Sequence, residues 1–167
     1  FFPDEWPDGL TYLENYISED KADRLVQKID AAPWRADLKR RVQHYGYRYD
    51  YKARQARRED YLGPLPELFQ QLAERLTIEG YFQSVPDQVI VNEYQPGQGI
   101  SAHIDCQPCL GETIASLSLL SACVMRFASQ TLSQQIELHL QSASLLVLSG
   151  DARHLWTHAI PARKTDV

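Results

Sequence analysis

One stretch organises the chain, Val89-Ile-Val-Asn-Glu-Tyr-Gln-Pro-Gly-Gln-Gly-Ile-Ser-Ala-His-Ile-Asp105. It begins with β-branched apolar residues, which favour a strand. A Pro-Gly pair then interrupts the strand pattern and predicts a turn. Strand character resumes at Ile100 and leads to His103 and Asp105. Because side chains at positions i and i+2 of a strand point to the same face, this imidazole and this carboxylate can reach one common point.

The His-x-Asp pair is half of a possible metal site, and a distant histidine could complete it. Two histidines and one carboxylate are the ligand set of non-haem Fe(II), which leaves open positions on the metal. The distant partner is His158, which follows a second hydrophobic strand over residues 144–149. His154, four residues earlier, competes for the same role. On spacing alone, ordinary histidines and a turn-capping Asp105 explain the pattern equally well, so both interpretations remain open at this point.

The residues around these positions resemble a known family. The motifs that carry the resemblance are Asn92-x-Tyr94-x-Pro96-Gly97, His103-x-Asp105, Gly150-Asp-x-Arg153 and His158. Together they resemble the AlkB family of Fe(II)/2-oxoglutarate dioxygenases. Two further motifs resemble the branch whose oxygenase domain hydroxylates a modified wobble uridine in tRNA. They are Leu155-Trp-Thr-His158 and Arg40-Arg-Val-x-His-Tyr-Gly-Tyr47.

This resemblance implies a ligand set and cofactors. His103, Asp105 and His158 would be the catalytic residues that hold Fe(II), and Asn92 and Tyr94 would contact the co-substrate 2-oxoglutarate. With O₂, such an enzyme oxidises 2-oxoglutarate to succinate and CO₂ and hydroxylates a substrate C–H bond. A hydroxylated N-methyl group collapses to formaldehyde and the free base, whereas a wobble-base side chain keeps the hydroxyl group.

The resemblance also implies a nucleic acid substrate, which is either alkylated DNA or RNA or a modified base in tRNA. Two alternatives belong to other functional classes. One is a zinc-binding or redox module that uses Cys106, Cys109 and a histidine. The other is a catalytically dead module that holds RNA or a protein.

The predicted elements favour one fold. The pattern predicts a helix from Ser18 to about Asp30, another from Glu67 to Glu79, and about eight short strands. This set fits an α+β, mainly β domain over residues 1–167, a double-stranded β-helix (jelly roll) with its N-terminal helices packed on one side.

One feature of the family is absent from this sequence. The family carries an arginine-rich strand after the third iron ligand, and one of its arginines grips the distal carboxylate of 2-oxoglutarate. The sequence starts at Phe1 without Met and stops at Val167, so we expect both ends to be trimmed. The candidates for this role within the chain are Arg126, Arg153 and Arg163.

Charge is distributed unevenly. The net charge is −5, but residues 35–58 hold nine Lys and Arg against two Asp, a local charge of +7. Alternating tyrosines predict a strand over residues 38–52 with one aromatic face, which would stack a base or simply cover a half-exposed sheet. Residues 53–60 are predicted to be a mobile loop in the family's substrate lid. The predicted substrate-binding residues are Arg41, Tyr45, Tyr47, Arg48, Tyr49, Arg54, Arg57 and Arg58.

Composition excludes several classes of protein. A hydrophobic fraction of 44% in 167 residues predicts a globular domain, not a disordered one. The apolar runs fall short of the roughly 18 residues of a membrane span. The odd count of cysteines, Cys106, Cys109 and Cys123, argues against a disulfide framework and favours a reducing cytoplasm or nucleus. We expect a cytoplasmic monomer in which Cys106 and Cys109 are small residues of a loop near the site.

Overall fold

The computed structural model describes residues 6–51 and 57–163, which contain nine strands, three α-helices and one short 3-10 helix. The helices are α1 (Glu19–Asp30), α2 (Glu67–Ile78) and α3 (Gly150–His154), with the 3-10 helix at Arg58–Asp60. The strands are β1 (Leu10–Leu13), β2 (Arg41–Tyr45), β3 (Val89–Glu93), β4 (Ile100–His103), β5 (Ile114–Leu117), β6 (Cys123–Ser129), β7 (Gln135–Leu140), β8 (Leu145–Leu148) and β9 (Trp156–Ile160). No helix among these described residues is both long and apolar enough to cross a membrane.

The chain divides into two compact units. The first unit comprises Phe1–Val26 and Tyr94–Val167, and the second comprises Gln27–Glu93. The first unit contains two antiparallel sheets, with strand orders β1-β8-β5 and β4-β9-β6-β7. The second unit contains the antiparallel pair β2-β3 and helix α2.

Strict alternation builds the core of the first unit. Along β7 every second residue is buried, as the sequence predicted for this strand. Its buried residues Ile136 and Leu138 stand opposite Phe127 and Met125 of β6. Phe127 is fully buried. Leu146 and Leu148 of β8 and Trp156 of β9 complete one hydrophobic cluster with these side chains, so both sheets contribute to one core.

Helix α1 begins where its capping residue predicts. The Oγ atom of Ser18 accepts a hydrogen bond from the backbone N–H of Lys21 at 3.2 Å, which satisfies a donor of the first turn. Two acidic residues occupy that turn, where the helix dipole favours negative charge. Leu25 and Ile29, four residues apart, are both buried, so the predicted apolar face is confirmed.

The prediction of one long tyrosine-bearing strand over residues 38–52 is wrong. β2 ends at Tyr45 because Gly46 has a φ of 79°, and a Cβ atom there would collide with the carbonyl oxygen of Asp87. The tyrosines therefore take separate partners. The ring of Tyr45 meets Phe69 edge-on at 4.8 Å between centroids. Tyr47 lies against Tyr61, and Tyr49 against Tyr51, so the four do not form one aromatic strand face.

Candidate metal centre

Three side chains of the first unit converge on one point. Each of His103, Asp105 and His158 offers a ligand atom, and these atoms lie within 4.8 Å of one another. Asp105 Oδ1 is 3.4 Å from His103 Nε2, and Asp105 Oδ2 is 3.7 Å from His158 Nε2. Two ligands bound at about 2.0–2.2 Å to one ion can be at most about 4.4 Å apart, so both carboxylate–imidazole pairs fit a common metal.

Strand register brings the two histidines together. His103 of β4 stands opposite His158 of β9, and His158 in turn stands opposite Phe127 of β6. The two imidazole centroids are 4.4 Å apart. Gly99 permits this pairing, because a Cβ atom there would meet the carbonyl oxygen of Ile160 and the backbone nitrogen of Ala162 at the end of β9. The glycine before β4 thus allows the two ligand-bearing strands to approach closely.

Asp105 is not held by strand alternation, contrary to the sequence prediction. β4 ends at His103, and Asp105 lies in an irregular segment that lasts until β5. Arg153, which is 2% exposed, fixes this segment from α3. Its Nη1 donates to the carbonyl oxygen of Asp105 at 2.6 Å, and its Nη2 donates to that of Cys106 at 3.2 Å.

A backbone contact orients the ring of His103. Its Nδ1 lies 2.8 Å from the carbonyl oxygen of Ser101. Only a protonated Nδ1 can donate to that oxygen, and this tautomer leaves Nε2 as the atom with a lone pair for a metal. This contact was not predicted from the sequence, although the i, i+2 spacing of Ser101 and His103 is a signal that could have indicated it.

The surroundings shift the pKa values of both the carboxylate and the imidazole of the candidate site. Burial alone raises the pKa of Asp105, but the effects of the neighbouring His103, His158 and Arg153 outweigh it, so the pKa falls below its usual value. Burial lowers the pKa of His158 to about 4, although the Asp105 carboxylate opposes this shift. At neutral pH the carboxylate is therefore ionised and the imidazole of His158 is uncharged, which are the forms that bind a metal.

The competing histidines have other environments. His154 ends α3, where its Nε2 lies 2.9 Å from a carboxylate oxygen of Glu112. His139 is exposed on β7, as its place among the polar alternates predicted. Neither residue belongs to the group that could hold a metal, the one such group among residues 6–51 and 57–163.

Two of the three candidate arginines are engaged elsewhere. Arg126 forms an ion pair with Glu137 at 3.0 Å. Arg126 is the neighbour of Phe127 on β6, so its side chain lies on the face of the sheet opposite the one that carries Phe127 and the candidate histidine ligands. The guanidinium of Arg153 is bonded to backbone carbonyls and is buried. The backbone N–H of Arg163 donates to the carbonyl oxygen of Gly97 at 3.0 Å.

The C-x-x-C motif lies in a loop, as expected, but its cysteines are bonded to each other, contrary to the argument from the odd cysteine count. Cys106 and Cys109 form a disulfide, with their Cα atoms 5.6 Å apart. A turn closes between them, in which the backbone N–H of Leu110 donates to the carbonyl oxygen of Cys106. An odd cysteine count argues against a network of bridges, but it cannot exclude one local bridge between neighbours that a turn brings within range.

The remaining predicted site residues lie at or near the β2-β3 pair. Asn92 is exposed on β3, and its Oδ1 accepts a hydrogen bond from Nε of Arg40 at 2.8 Å. Arg41 forms an ion pair with Glu93 at 2.6 Å and lies over the ring of Trp34. Tyr94 follows β3 directly and is half-buried.

The predicted lid residues are only partly described. The carboxylate of Asp60 accepts from the backbone N–H of Arg57 at 2.8 Å, and Arg58 begins the 3-10 helix. Arg54 and residues 53–56, the first half of the predicted mobile loop, lie outside the described residues. Arg48 is exposed and follows Tyr47, which forms an isolated β-bridge with Tyr61.

Comparison with known proteins identifies the family. The sequence model of the 2OG-Fe(II) oxygenase superfamily matches residues 9–167. The chain belongs to this superfamily. The superfamily is defined by Fe(II) and 2-oxoglutarate, and the donor set of His103, Asp105 and His158 fits iron.

Several relatives of the chain are AlkB homologues. The chain is 39% identical to the mouse tRNA (carboxymethyluridine(34)-5-O)-methyltransferase ALKBH8, over 96% of this chain and 25% of that protein. It is 34% identical to the alkylated DNA repair protein ALKBH8 homolog of Arabidopsis thaliana, over 95% of this chain and 52% of that protein. The chain therefore spans from a quarter to half of the length of these two relatives. The resemblance to the AlkB family and its ALKBH8-like branch is confirmed.

A solved structure supports the fold. The structure of OsALKBH1 aligns with a TM-score of 0.70 at 20% identity, over 97% of this chain and 88% of that chain. With its antiparallel sheets and mainly β content, the chain has the jelly-roll oxygenase fold that the sequence predicted.

We predict that His158→Ala abolishes stoichiometric binding of Fe(II), because two ligands remain where three converge. His139→Ala is the matched control, since it removes an exposed imidazole from the same sheet. Anaerobic dialysis against Fe(II), followed by elemental analysis, measures the iron bound by each variant. Equal iron in both variants would show that His158 is not a ligand.

Proposed function

We propose that the chain is an Fe(II)/2-oxoglutarate-dependent dioxygenase that acts on nucleic acid. In this proposal it oxidatively demethylates N-alkylated bases or hydroxylates a modified tRNA base. The observation that carries the proposal is the convergence of His103, Asp105 and His158 in a chain of the 2OG-Fe(II) oxygenase superfamily.

The three residues are proposed to hold the metal in distinct ways. Bound Fe(II) would supply the coupled oxidation of 2-oxoglutarate and a substrate C–H bond by O₂. Asp105 contributes a negative charge, and the two imidazoles contribute uncharged nitrogen donors. His103 is oriented by the carbonyl of Ser101, and the fully buried Phe127 stands opposite His158 with its ring centroid 6.3 Å from the imidazole. This apolar neighbour limits access of water to one side of the ring.

Co-substrate binding is proposed to involve Asn92 and Tyr94, as the family resemblance implies. Arg40 already donates to the Oδ1 atom of Asn92. The amide of Asn92 therefore presents Nδ2, a donor suited to a carboxylate oxygen. The hydroxyl group of Tyr94 is a second donor of the same kind.

The basic segment, residues 35–58, is proposed to bind the phosphates of the substrate. Its charge of +7 contrasts with −12 for the rest of the chain, which contains eight Lys and Arg and twenty Asp and Glu. Such asymmetry concentrates a polyanion at one face of an otherwise acidic protein. The predicted base-stacking residues Tyr45, Tyr47 and Tyr49 lie in the same segment.

The relatives favour two chemical outcomes. The mouse relative is named as a methyltransferase that acts on carboxymethyluridine at position 34 of tRNA, which supports a tRNA base as the substrate. A protein of Caenorhabditis elegans, 25% identical over 93% of this chain, is named as a DNA N6-methyl adenine demethylase, which supports oxidative demethylation. We further propose that the protein acts as a monomer in the cytoplasm, which light scattering and cell fractionation would measure.

The substrate assay is expected to give a product that depends on all components. The protein is incubated with Fe(II), 2-oxoglutarate and either total tRNA or methylated oligonucleotides, and the nucleosides are then analysed by mass spectrometry. We expect an added oxygen on a tRNA base or the loss of a methyl group, in step with succinate release. Asp105→Ala is expected to give neither product.

The absence of both products with the intact protein would favour a binding module without catalysis. Bound zinc without iron would favour the alternative metal-binding module that involves Cys106, Cys109 and a histidine.

The double variant Asn92→Ala with Tyr94→Phe is expected to raise the KM for 2-oxoglutarate, because two donors to the carboxylates are lost. Steady-state succinate release measures it. Gln71→Ala with Tyr81→Phe makes the same chemical changes at α2 and just beyond it, and should leave the KM unchanged. An unchanged KM in the first variant would restrict Asn92 and Tyr94 to structural roles.

Replacing Arg54, Arg57 and Arg58 by Ala is expected to weaken binding of single-stranded RNA and to flatten its salt dependence. With about four phosphate contacts, the log–log slope of the unsubstituted protein should be about −3, at roughly 0.7 per phosphate. Replacing Lys21, Arg24 and Lys28 of α1 removes the same charge elsewhere and serves as the control. If both triple variants lose affinity equally, net charge rather than the basic segment governs binding.

A further inference from the structure

Arg153 is the one charged side chain among the buried residues of the described chain. Charged groups are rarely buried unless their donors are satisfied, because removing a charge from water is costly. An arginine in this position therefore requires a set of acceptors that repays its burial.

The acceptors of Arg153 all lie in one short segment. Nη1 donates to the carbonyl oxygen of Asp105 at 2.6 Å and Nη2 to that of Cys106 at 3.2 Å. Nε donates to the carbonyl oxygen of Gly111 at 3.2 Å. One guanidinium thus joins the two ends of the segment from Asp105 to Gly111.

This segment lacks the support of a sheet. β4 ends at His103 and β5 begins at Ile114, so no ladder of strand hydrogen bonds fixes the backbone of Asp105. The segment has one internal turn, with the disulfide between Cys106 and Cys109. The position of the Asp105 carboxylate therefore depends on the hydrogen bonds from outside the segment.

Arg153 is itself anchored beside the third candidate ligand. It lies in α3, and α3 is followed almost directly by β9, which carries His158. Backbone hydrogen bonds hold α3 in place, from Ala152 to the carbonyl of Asp8 at 2.8 Å and from Arg153 to that of Ser149 at 3.2 Å. Arg153 therefore connects the segment of Asp105 to the strand of His158.

We propose that Arg153 is a positioning residue of the metal centre, which holds the Asp105 segment so that its carboxylate meets the imidazoles of His103 and His158. This inference rests on the proposed function, since it assigns Arg153 a role in the same site. A guanidinium suits the role because its planar array of five donors can serve three carbonyls at once. A lysine has three donors on a single atom and cannot span the same acceptors.

The same contacts argue against another role for Arg153. To grip the distal carboxylate of 2-oxoglutarate, the guanidinium would have to leave three backbone carbonyls and become accessible from its buried position. Those carbonyls would then be left without their donor, which is unfavourable in a buried site.

Titration of the metal-free protein with Co(II) alone tests the proposal. The variants are Arg153→Met and Arg153→Lys, and the control is Arg126→Met, which removes an exposed cation from the face of β6 opposite Phe127. The dissociation constant and the visible absorption spectrum of bound Co(II) report ligand geometry, while the melting temperature of the metal-free protein reports folding.

We expect Arg153→Met to weaken Co(II) binding by about tenfold or more and to change the spectrum, in the range found when partners of metal ligands are removed. Arg153→Lys should give an intermediate loss, and Arg126→Met should match the unsubstituted protein. If Arg153→Met does not fold, Arg153→Lys decides the matter. A folded Arg153 variant with unchanged affinity and spectrum, even at a lower melting temperature, would overturn the proposal.

Failure of the proposed function is distinguishable from failure of this inference. If the unsubstituted protein binds no Co(II), the metal centre itself is wrong and both proposals fall. If it binds Co(II) and the Arg153 variants bind equally well, only the positioning role is wrong.

Discussion

The register between β4 and β9 is the constraint on which the candidate metal centre depends. His103 stands opposite His158, which stands opposite Phe127, which stands opposite Ile136. One row of side chains therefore crosses all four strands of the sheet, with imidazoles at one end and hydrocarbon at the other. Because strand side chains alternate between faces, a slip of one residue would turn a ligand to the opposite face. The apolar half of the row thus maintains the register that the polar half requires.

Sequence patterns correctly predicted the helices and strands that are determined by residues within the element itself. Ser18 caps α1 through its own side chain, and β7 alternates because one of its faces is buried. The tyrosine pattern after Tyr45 failed because the positive φ of Gly46 ends the strand, and the crowding by Asp87 that demands a glycine comes from distant sequence. Period-two spacing alone cannot reveal such a contact.

In the candidate site, too, the sequence predicted some features and not others. The residues His103, Asp105 and His158 could be named from motifs, but the means by which Asp105 is held could not. Sequence spacing placed it on a strand, whereas the structure places it beyond the strand in a segment bonded to Arg153. Arg153 was visible in the sequence only as a cation near the third ligand, and its role depends on burial, which spacing does not report.

The separation of the candidate ligands along the chain has a consequence for the lifetime of the protein. Residues 103 and 158 come together only in the folded sheet, so an unfolded chain cannot offer an ion the same three ligands. An ion that binds only the native state stabilises it by about 2.7 kcal/mol when its concentration is about a hundred times the dissociation constant. Resistance to cellular proteases would then rise and fall with the supply of iron. A cell short of iron would hold less of this protein as well as a less active form of it.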